Sequence, residues 1–516
     1  MARLYNVKLK NPVSLLAGFF VFLRSENRNI RLYKIQIMRT KNIIAALLLV
    51  AATLFTVGCK KDPIPSDPVV GSPFGRQLRS LDIVNSVDTI VPNSNPAGYS
   101  ELYQVTFNQP VDHNNPAAGT FRQKAFLFYV GSDRPTVLYT CGYTLFDHFR
   151  QLPFIDIAYN MNANLVMVEH RYFGNSKPAN DNRWTYLTVS QAAADHHAII
   201  QALKPLLPRE WVSTGTSKDG MTSLFLRYFY PDDITVTTAF CAPFMNSLNN
   251  LSLGRYMQEE SGTPEERSQM IALMGRLLQN GEQGLYVRLL QLLQANHLNT
   301  DLTFTGYVNG CLGYFFSFFS YKTPATRQLP ALDMPDDQFL TTIFEEVFDN
   351  VDQSYIYPYY IQCVKELGQY ICDYDAYASQ LEGTAFDINE VLKNPCELKN
   401  EDCWLYQTYD STLLTDIRTR FIPTTNCPLL FVYTKDDPWT AARPDRINEQ
   451  YSKMVINPIG VHNHDINSTE HYTPEMKQEI MDFIARYVPY DNDPVVAKRA
   501  PYSYFHEMED KFMIHR

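Results

Sequence analysis

Three residues whose types together perform nucleophilic catalysis lie far apart in this sequence: Ser217, Asp437 and His462. A serine hydroxyl is a weak nucleophile at neutral pH. It becomes reactive when a histidine accepts its proton and a carboxylate holds that histidine in the correct orientation. The three residues can act in this way only if the fold brings them together, so their positions relative to the secondary structure are decisive.

Each of these residues follows a short apolar run. Ser217 follows "EWVSTGT", Asp437 follows "LLFVYTKD" and His462 follows "MVINPIGV". Apolar runs separated by helical stretches are typical of parallel strands covered on both faces. In an α/β-hydrolase the catalytic Ser, Asp and His come in this chain order, each at the carboxyl end of a strand. Order and position therefore predict an α/β-hydrolase sheet, whereas the serine turn alone is a weak signal.

A second aspartate, Asp436, competes with Asp437 for the role of the acid. An aspartate directly before Pro438 can also serve only to cap a turn. We favour Asp437 as the residue that orients the histidine.

Two further histidines, His464 and His471, lie within ten residues of His462. We favour His462 because Gly460, two residues earlier, allows the chain to turn out of the preceding strand. His464 remains open as the alternative base.

The serine lies in "TGTSKDGMTS", where a glycine precedes it but the second glycine, Gly220, comes one residue later than a nucleophile turn usually has it. Asp219 occupies the position where a small residue is expected. A carboxylate in the first helical turn gains roughly 0.3–1 kcal/mol from the helix dipole, but it costs room beside the neighbouring strand. If it approached His462 it would raise the pKa of that histidine and weaken it as a base.

The rest of the sequence supports a sheet interrupted by a helical segment. Alternating apolar and polar residues from about Glu101 to Val130 predict antiparallel strands around an Asn/Pro/Gly turn. Further apolar runs begin with "TVLYT" at 136, "NLVMVEH" at 164 and "ITVTTAF" at 234, and a closing helix is expected from Thr473-Pro474.

Between 246 and 422 the pattern becomes helical and rich in aromatic residues. A capping box links Thr263 to Glu266, and one apolar helical face follows it. That face comprises Met270, Leu273, Met274, Leu277 and Leu278. We predict an α/β-hydrolase core in two parts, 99–245 and 423–490, with a large helical cap at 246–422 between them and a tail at 491–516.

The N-terminal region predicts export. Residues 38–58 have a basic start, an apolar run and small residues before Cys59, as in a bacterial lipoprotein signal, so Cys59 is the expected site of lipidation and of attachment to a membrane. An ordinary signal peptide or a membrane anchor is the alternative. Residues 1–37 are interpreted as a non-native upstream extension, and the proline-rich residues 59–98 as a tether.

Charge and cysteine content limit the possible partners. Loss of residues 1–58 removes nine Lys and Arg and one Glu, which moves the net charge from −10 to −18, so nucleic acid is not an expected partner. Besides Cys59 there are eight cysteines; Cys363 with Cys372, and Cys396 with Cys403, are close enough in sequence to be paired. No CxxC or HExxH spacing occurs, so neither a metal site nor a cofactor is predicted. The oligomeric state is not apparent from the sequence.

Five motifs resemble, in order, landmarks of secreted proline-directed serine exopeptidases: "FNQPVDHNNPAAGTFRQKAFLF", "VEHRYFGNSKP", "GTSKDG", "DDPWTA" and "GVHNHDI". The likeness spans about residues 99–490 and is to the PS-ten peptidase family, which includes prolyl tri- and tetrapeptidyl aminopeptidases. Lysosomal prolyl carboxypeptidase is a more distant match. The resemblance implies an α/β-hydrolase with a helical cap, Asp437 as the acid, His462 as the base, and peptide substrates.

Written onto this chain, the family mechanism has Ser217 attack a peptide carbonyl. Backbone N–H groups of Lys218 and of the Gly142-Tyr143 turn would stabilise the oxyanion, and Glu169 is a candidate for binding the substrate amine. The alternative role for Glu169 is that of a buried acid paired with Arg171 or His170.

The family usually has "SKGG" where this chain has "SKDG", so Asp219→Gly is expected to raise turnover. A peptide-binding lipoprotein with a weakened site, and an esterase or lipase of the same fold, are the alternative functions.

Overall fold

The chain divides into two compact units. The computed structural model describes residues 72–490 apart from 96, 152–154, 180, 182 and 350–353. One unit includes Phe20–Gln77, and the structure describes it only from Ser72 onward, where helix α1 (Pro73–Arg79) begins. The predicted signal peptide, Cys59 and the tail 491–516 lie outside the described residues.

The described part of the unit from Leu78 onward is organised around a nine-stranded mixed sheet. The strands are β1 Val84–Thr89, β2 Glu101–Pro110, β3 Thr120–Tyr129, β4 Thr136–Thr140, β5 Asn164–Val168, β6 Trp211–Thr216, β7 Val236–Phe240, β8 Leu429–Thr434 and β9 Lys453–Asn457. Their order in the sheet is β1-β2-β3-β5-β4-β6-β7-β8-β9. The β1–β2, β2–β3 and β3–β5 pairs are antiparallel, and all the other neighbouring pairs are parallel.

The sequence patterns correctly predicted eight of these strands. Strands β4, β5, β7 and β8 are buried along their whole length, as expected for strands covered on both faces. Strand β1 was missed because "VNSVDT" is polar and largely exposed; it is an edge strand held by pairing with β2. The α/β-hydrolase fold class is confirmed, and the carboxyl ends of β6, β7, β8 and β9 meet at one edge of the sheet.

The segment between β7 and β8 is a helical insertion with its own apolar core. After β9, the predicted helix capped by Thr473 is present. No helix among the described residues is both long enough and apolar enough to span a bilayer. The remaining α-helices are α2 His148–Gln151, α3 Asp156–Asn160, α4 Val189–Leu203, α5 Lys218–Phe229, α6 Ser252–Glu259, α7 Pro264–Leu278, α8 Leu285–Ala295, α9 Phe304–Tyr321, α10 Asp336–Ile343, α11 Glu345–Asp349, α12 Tyr357–Gln362, α13 Ala378–Leu381, α14 Ile388–Lys393, α15 Thr412–Asp416, α16 Ile422–Thr424 and α17 Pro474–Ala485.

The start of α7 shows how sequence fixes the insertion locally. Thr263 Oγ1 accepts a hydrogen bond from the backbone N–H of Glu266, and the Glu266 carboxylate accepts one from the N–H of Thr263. This capping box and the predicted buried face of the helix are both confirmed. All eight cysteines in the described residues are free, so neither candidate cysteine pair is bridged.

A buried arginine joins the insertion to the sheet. The Arg327 side chain is only 2% exposed and pairs with Glu266 at 3.0 Å and with Asp436 at 2.7 Å. Glu266 belongs to the capping box of α7, whereas Asp436 lies just beyond β8. The ion pairs therefore tie the insertion to the loop that carries Asp437.

Arg327→Ala should lower the free energy of unfolding by about 3–5 kcal/mol, because it leaves two partly buried carboxylates unpaired. Chemical denaturation measures this difference. The control is Arg288→Ala, which breaks the exposed Arg288–Asp337 pair in the same insertion and should cost much less, because solvent screens an exposed ion pair. Equal losses in the two variants would contradict this role for Arg327.

Candidate active site

Ser217 lies on the sharp turn between β6 and α5. Its backbone is strained, with φ 58° and ψ −126°, a conformation that non-glycine residues adopt only where the surrounding structure enforces it. The N–H of Ser217 donates to the carbonyl of Phe240 at 2.8 Å, and its own carbonyl accepts from Met221 at 3.0 Å. The turn is thus held by the neighbouring strand on one side and by the helix on the other.

The late second glycine has a steric reason. A Cβ atom on Gly220 would lie 2.9 Å from the carbonyl oxygen of Gly215 and 3.1 Å from Cβ of Ala242. A Cβ atom on Gly215 would lie 2.4 Å from the backbone carbonyl carbon of Asp219. Helix α5 thus passes close to β6 at residues 219 and 220, and a side chain at 220 would meet the backbone of Gly215, so the glycine is needed there.

Asp437 and His462 form a buried pair. Nδ1 of His462 lies 2.6 Å from Oδ2 of Asp437, and their side chains are 3% and 0% exposed. Oδ1 of Asp437 accepts from Ser320 Oγ at 2.8 Å and from the N–H of Trp439 at 3.2 Å. The carboxylate is therefore fixed on both oxygens, and it orients the imidazole.

The other ring nitrogen of His462, Nε2, is buried and has no hydrogen-bond partner among the described residues. The backbone N–H of His462 donates to the carbonyl of Ser320 at 2.8 Å, which fixes the main chain that carries the ring. In a Ser-His-Asp arrangement, this second nitrogen is the one that takes the proton of the nucleophile.

Cys241 links the serine turn to the Asp–His pair. It follows Phe240, the residue that accepts the hydrogen bond from Ser217. Its Sγ, an oxygen of Asp437 and a nitrogen of His462 lie within 4.8 Å of one another. Burial raises the pKa of the Cys241 thiol well above its ordinary value, so it stays protonated. All three predicted residues therefore lie at the same edge of the sheet.

The rival residues have other partners. Asp436 pairs with Arg327 and accepts from the N–H of Gly262 at 3.1 Å, so it belongs to the junction with the insertion. Nδ1 of His464 lies 2.6 Å from Thr216 Oγ1, and burial lowers the pKa of this histidine. His464 therefore approaches the site, but its ring is held by a hydroxyl rather than by a carboxylate.

His471 also has a carboxylate neighbour. Its Nδ1 lies 2.8 Å from an oxygen of Asp465, and both side chains are partly exposed. This pair differs from the buried pair of His462, which is held directly beside the strand ends.

The two backbone N–H groups expected to stabilise the oxyanion come from the start of α5 and from the turn after β4. Lys218 is the first residue of α5, where a backbone N–H has no partner within the helix and the helix dipole favours negative charge. In the turn after β4, the N–H of Gly142 already donates to Asp219 Oδ1 at 2.6 Å. Gly142 is therefore excluded as the second donor, and the amide of Tyr143 stays a prediction.

Glu169 does not suit the role expected for it. Oε1 accepts from Leu145 N–H at 3.0 Å; Oε2 accepts from Asn175 N–H, Ser176 N–H and Ser176 Oγ at 3.2, 3.2 and 2.6 Å. Four hydrogen bonds fill its acceptor capacity, and the residue is 1% exposed. Glu169 thus holds its own loop. The alternative, a buried acid paired with Arg171 or His170, is correct in its burial. However, Arg171 pairs with Asp195 at 2.7 Å, and Nδ1 of His170 lies 2.7 Å from the carbonyl oxygen of Arg171.

The insertion supplies residues that sequence reasoning missed. The ring of Tyr321 packs edge-on against His462 at 5.8 Å between centroids. The ring of Trp439, which follows β8 and is not part of the insertion, lies 5.9 Å from the ring of His462. Ser320 and Tyr321 both come from the aromatic run "YFFSFFSY" at the end of α9. The serines within that run were the available signal, because a hydroxyl in a buried apolar helix needs a polar partner.

The site combines a serine on a strained strand-to-helix turn with a buried Asp–His pair, at one edge of the parallel part of the sheet and beside a helical insertion. These features define a hydrolase of the α/β-hydrolase class. The chain matches the PS-10 peptidase S37 family over residues 84–489. It belongs to that family and is a serine-type peptidase, which confirms the resemblance carried by the motifs.

The chain is also similar to individual proteins. A prolyl tri/tetrapeptidyl aminopeptidase from Streptomyces mobaraensis is 29% identical over 353 residues, which are 66% of this chain and 70% of that protein. Lysosomal Pro-X carboxypeptidase from Homo sapiens is 30% identical over 213 residues, 36% of this chain and 40% of that protein. A solved structure of an alpha/beta fold family hydrolase from Bacillus anthracis str. Sterne covers 74% of this chain and 99% of its own, with 13% identity and a TM-score of 0.31.

Proposed function

We propose that this peptidase removes short peptides, of three or four residues, from the N-terminus of proline-containing peptides, with Ser217, Asp437 and His462 as its catalytic triad. The observation that carries the triad is the buried His462–Asp437 pair, whose Nε2 atom has no partner among the described residues, at the sheet edge where the Ser217 turn lies. The tri/tetrapeptidyl specificity of the Streptomyces relative supports the N-terminal direction.

In this mechanism Ser217 Oγ forms a bond to the peptide carbonyl carbon while its proton passes to Nε2 of His462. The negative charge moves to the carbonyl oxygen, which accepts hydrogen bonds from the N–H groups of Lys218 and Tyr143. The C–N bond then breaks, and the leaving amine takes the proton from His462. Water attacks the resulting ester by the same steps. This releases the N-terminal peptide with a free carboxyl group and restores the serine hydroxyl.

An enzyme that acts on a free N-terminus needs a group that recognises an ammonium ion. Glu346 is suited to this role. Its Oε2 is buried and has no hydrogen-bond partner in the described part of the chain, and its charge acts on the hydroxyl of Tyr321, the residue that packs against His462. Burial, together with the nearby Glu345 and Asp349, raises the pKa of Glu346 to about 9. A bound ammonium ion would relieve both unfavourable effects.

Glu346→Gln should lower kcat/KM about 10- to 100-fold for peptides with a free amine, which is the value of a charge-assisted hydrogen bond. We expect the wild type to cleave N-acetylated peptides more slowly, and the substitution should change kcat/KM on these peptides little. The matched control is Glu345→Gln in the same helix, which should leave the preference for free amines intact. Equal losses on free and acetylated peptides would contradict this assignment.

An esterase or lipase of the same fold is the alternative activity. Peptidyl-proline and short-chain ester chromogenic substrates, tested side by side on the same preparation, separate the two. We expect a higher kcat/KM on the peptides, and a preference for esters would overturn the peptidase specificity proposed here.

We also propose that the mature protein is exported and anchored to a bacterial membrane through a lipid on Cys59. The basic start, apolar run and small residues of 38–58 support this proposal. Metabolic labelling with a clickable fatty acid should mark the wild type but not Cys59→Ser. Equal labelling of both would exclude lipidation at this cysteine.

A further inference from the structure

Asp219 is the residue of the nucleophile turn that departs most from expectation. Its side chain does not crowd the sheet, because both carboxylate oxygens are bonded to β4 and the turn that follows it. Oδ2 accepts from the hydroxyl of Tyr139 at 2.5 Å, and Oδ1 accepts from the N–H of Gly142 at 2.6 Å. Room for it exists because residue 142 is a glycine, whose absent Cβ would lie 2.9 Å from Oδ1.

Lys218, the preceding residue, holds the same glycine from its other side. Its Nζ donates a hydrogen bond to the carbonyl of Gly142. The ammonium group also lies 5.1 Å from the ring centroid of Tyr143 and 4.9 Å from that of Phe173. The two residues after Ser217 therefore fix both the N–H and the C=O of Gly142.

The fixed carbonyl determines where the next amide points. In a trans peptide the C=O of one residue and the N–H of the next point in opposite directions. When Lys218 binds the carbonyl of Gly142, the N–H of Tyr143 must therefore point the opposite way. Asp219 fixes the preceding peptide unit, which restrains rotation of the whole turn.

We propose that Asp219, together with the side chain of Lys218, is a positioning residue that clamps Gly142 and so orients the N–H of Tyr143 as an oxyanion donor. The inference rests on the proposed function, since it assigns a role within that active site. It also reverses the expectation that the aspartate hinders catalysis, and Asp219→Gly should accordingly lower turnover.

The clamp should depend on pH. The titratable groups that face Asp219 are Tyr139 and Cys141 from β4 and its end, Tyr143 from the turn and Lys218 from α5. Burial raises the pKa of Asp219 from its ordinary value of 3.8 to about 6. Below that pH the side chain is neutral, so the hydrogen bond that it accepts from Gly142 persists but is no longer charge-assisted, and the restraint on Gly142 weakens.

Stability should change in the opposite direction. Because the folded-state pKa of Asp219 is raised, the folded state binds more protons than the unfolded state between its ordinary pKa of 3.8 and about 6. Its contribution to the free energy of unfolding therefore increases as the pH falls through this range.

The test compares Asp219→Ala with the near-isosteric Asp219→Asn. We expect kcat to fall about 10- to 100-fold in the alanine variant with KM little changed, because an oxyanion donor acts mainly in the transition state. The amide introduced by Asp219→Asn does not titrate, but its oxygen can still accept from Gly142, so this variant should recover kcat to within about threefold of the wild type. It should also lose the decline in kcat centred near pH 6 that Asp219 contributes.

Lys218→Met tests the second contact and keeps the proposal falsifiable if the alanine variant does not fold. It should lower kcat to a similar degree without raising KM. Active-site titration with a fluorophosphonate, carried to completion, counts competent enzyme in every sample. Wild-type kcat in Asp219→Ala or Lys218→Met, or no recovery in Asp219→Asn, would overturn the clamp. A wild type that is neither labelled nor active would instead overturn the proposed function.

Discussion

His462→Ala should reduce kcat by about 10⁶-fold, the loss seen when the general base of a serine triad is removed. The expectation follows from the position of His462, which is held by a buried carboxylate through Nδ1 and keeps Nε2 free of hydrogen bonds within the described structure. KM should change little, because the imidazole acts on the reacting proton rather than on substrate binding. Steady-state kinetics on a peptidyl-proline substrate measure the effect.

The matched control is His464→Gln, since His464 lies two residues away and also approaches the serine turn through Thr216. We expect this variant to keep kcat within about tenfold of the wild type, because Thr216 Oγ1 is a neutral partner with no role in proton transfer. The reverse order, in which the His464 variant is dead and the His462 variant active, would assign the base to His464.

Asp437→Asn should lower kcat by about 10⁴-fold while the protein stays folded. The amide has a similar shape, but it cannot hold the proton on Nδ1 of His462 as the carboxylate does, so the ring is left in the wrong tautomer. The hydrogen bond from Ser320 to Oδ1 can persist in the variant, which limits any change in structure. Circular dichroism and thermal melting, run with the kinetics, separate catalysis from folding.

Asp436→Asn is the control for this prediction. Asp436 is paired with Arg327 at the junction with the insertion, so its loss should lower stability while leaving the kcat of the folded fraction near the wild-type value. If both variants lost kcat equally, the acid could not be assigned to Asp437.

The sequence predicts the sheet well because buried parallel strands leave a clear pattern. "TVLYT" and "NLVMV" are apolar apart from the threonines and the asparagine at their ends, and both are strands with every residue buried. Strand β1 could not be found in this way. Its residues are polar and it is stabilised by backbone pairing with β2, which depends on a partner distant in sequence.

The strand-to-helix turn at Ser217 is predicted correctly from the sequence, but the contacts of Asp219 are not. Whether Asp219 crowds the turn depends on which way its carboxylate points, and that is decided by Tyr139 and Gly142, about 80 residues earlier. The shift of the second glycine to residue 220 likewise reflects where α5 crosses β6. Neither contact leaves a trace in local sequence.

Contacts from the insertion were the hardest to foresee. Ser320 and Tyr321 reach the Asp–His pair from a helix that ends more than a hundred residues before Asp437. Glu169 is a candidate from the sequence because an exopeptidase needs a carboxylate to bind the free amine, yet its loop turns back and satisfies the carboxylate itself. Local patterns identify a strand end, but only the path of the loop shows whether a side chain is available.

The most direct test is to label the purified protein with a fluorophosphonate and locate the adduct by mass spectrometry. If Ser217 is a nucleophile activated by His462 and Asp437, the adduct should be found on Ser217, form quickly in the wild type and be absent from Ser217→Ala. Folded wild-type protein that stays unlabelled, or an adduct on a different serine, would contradict the proposed triad.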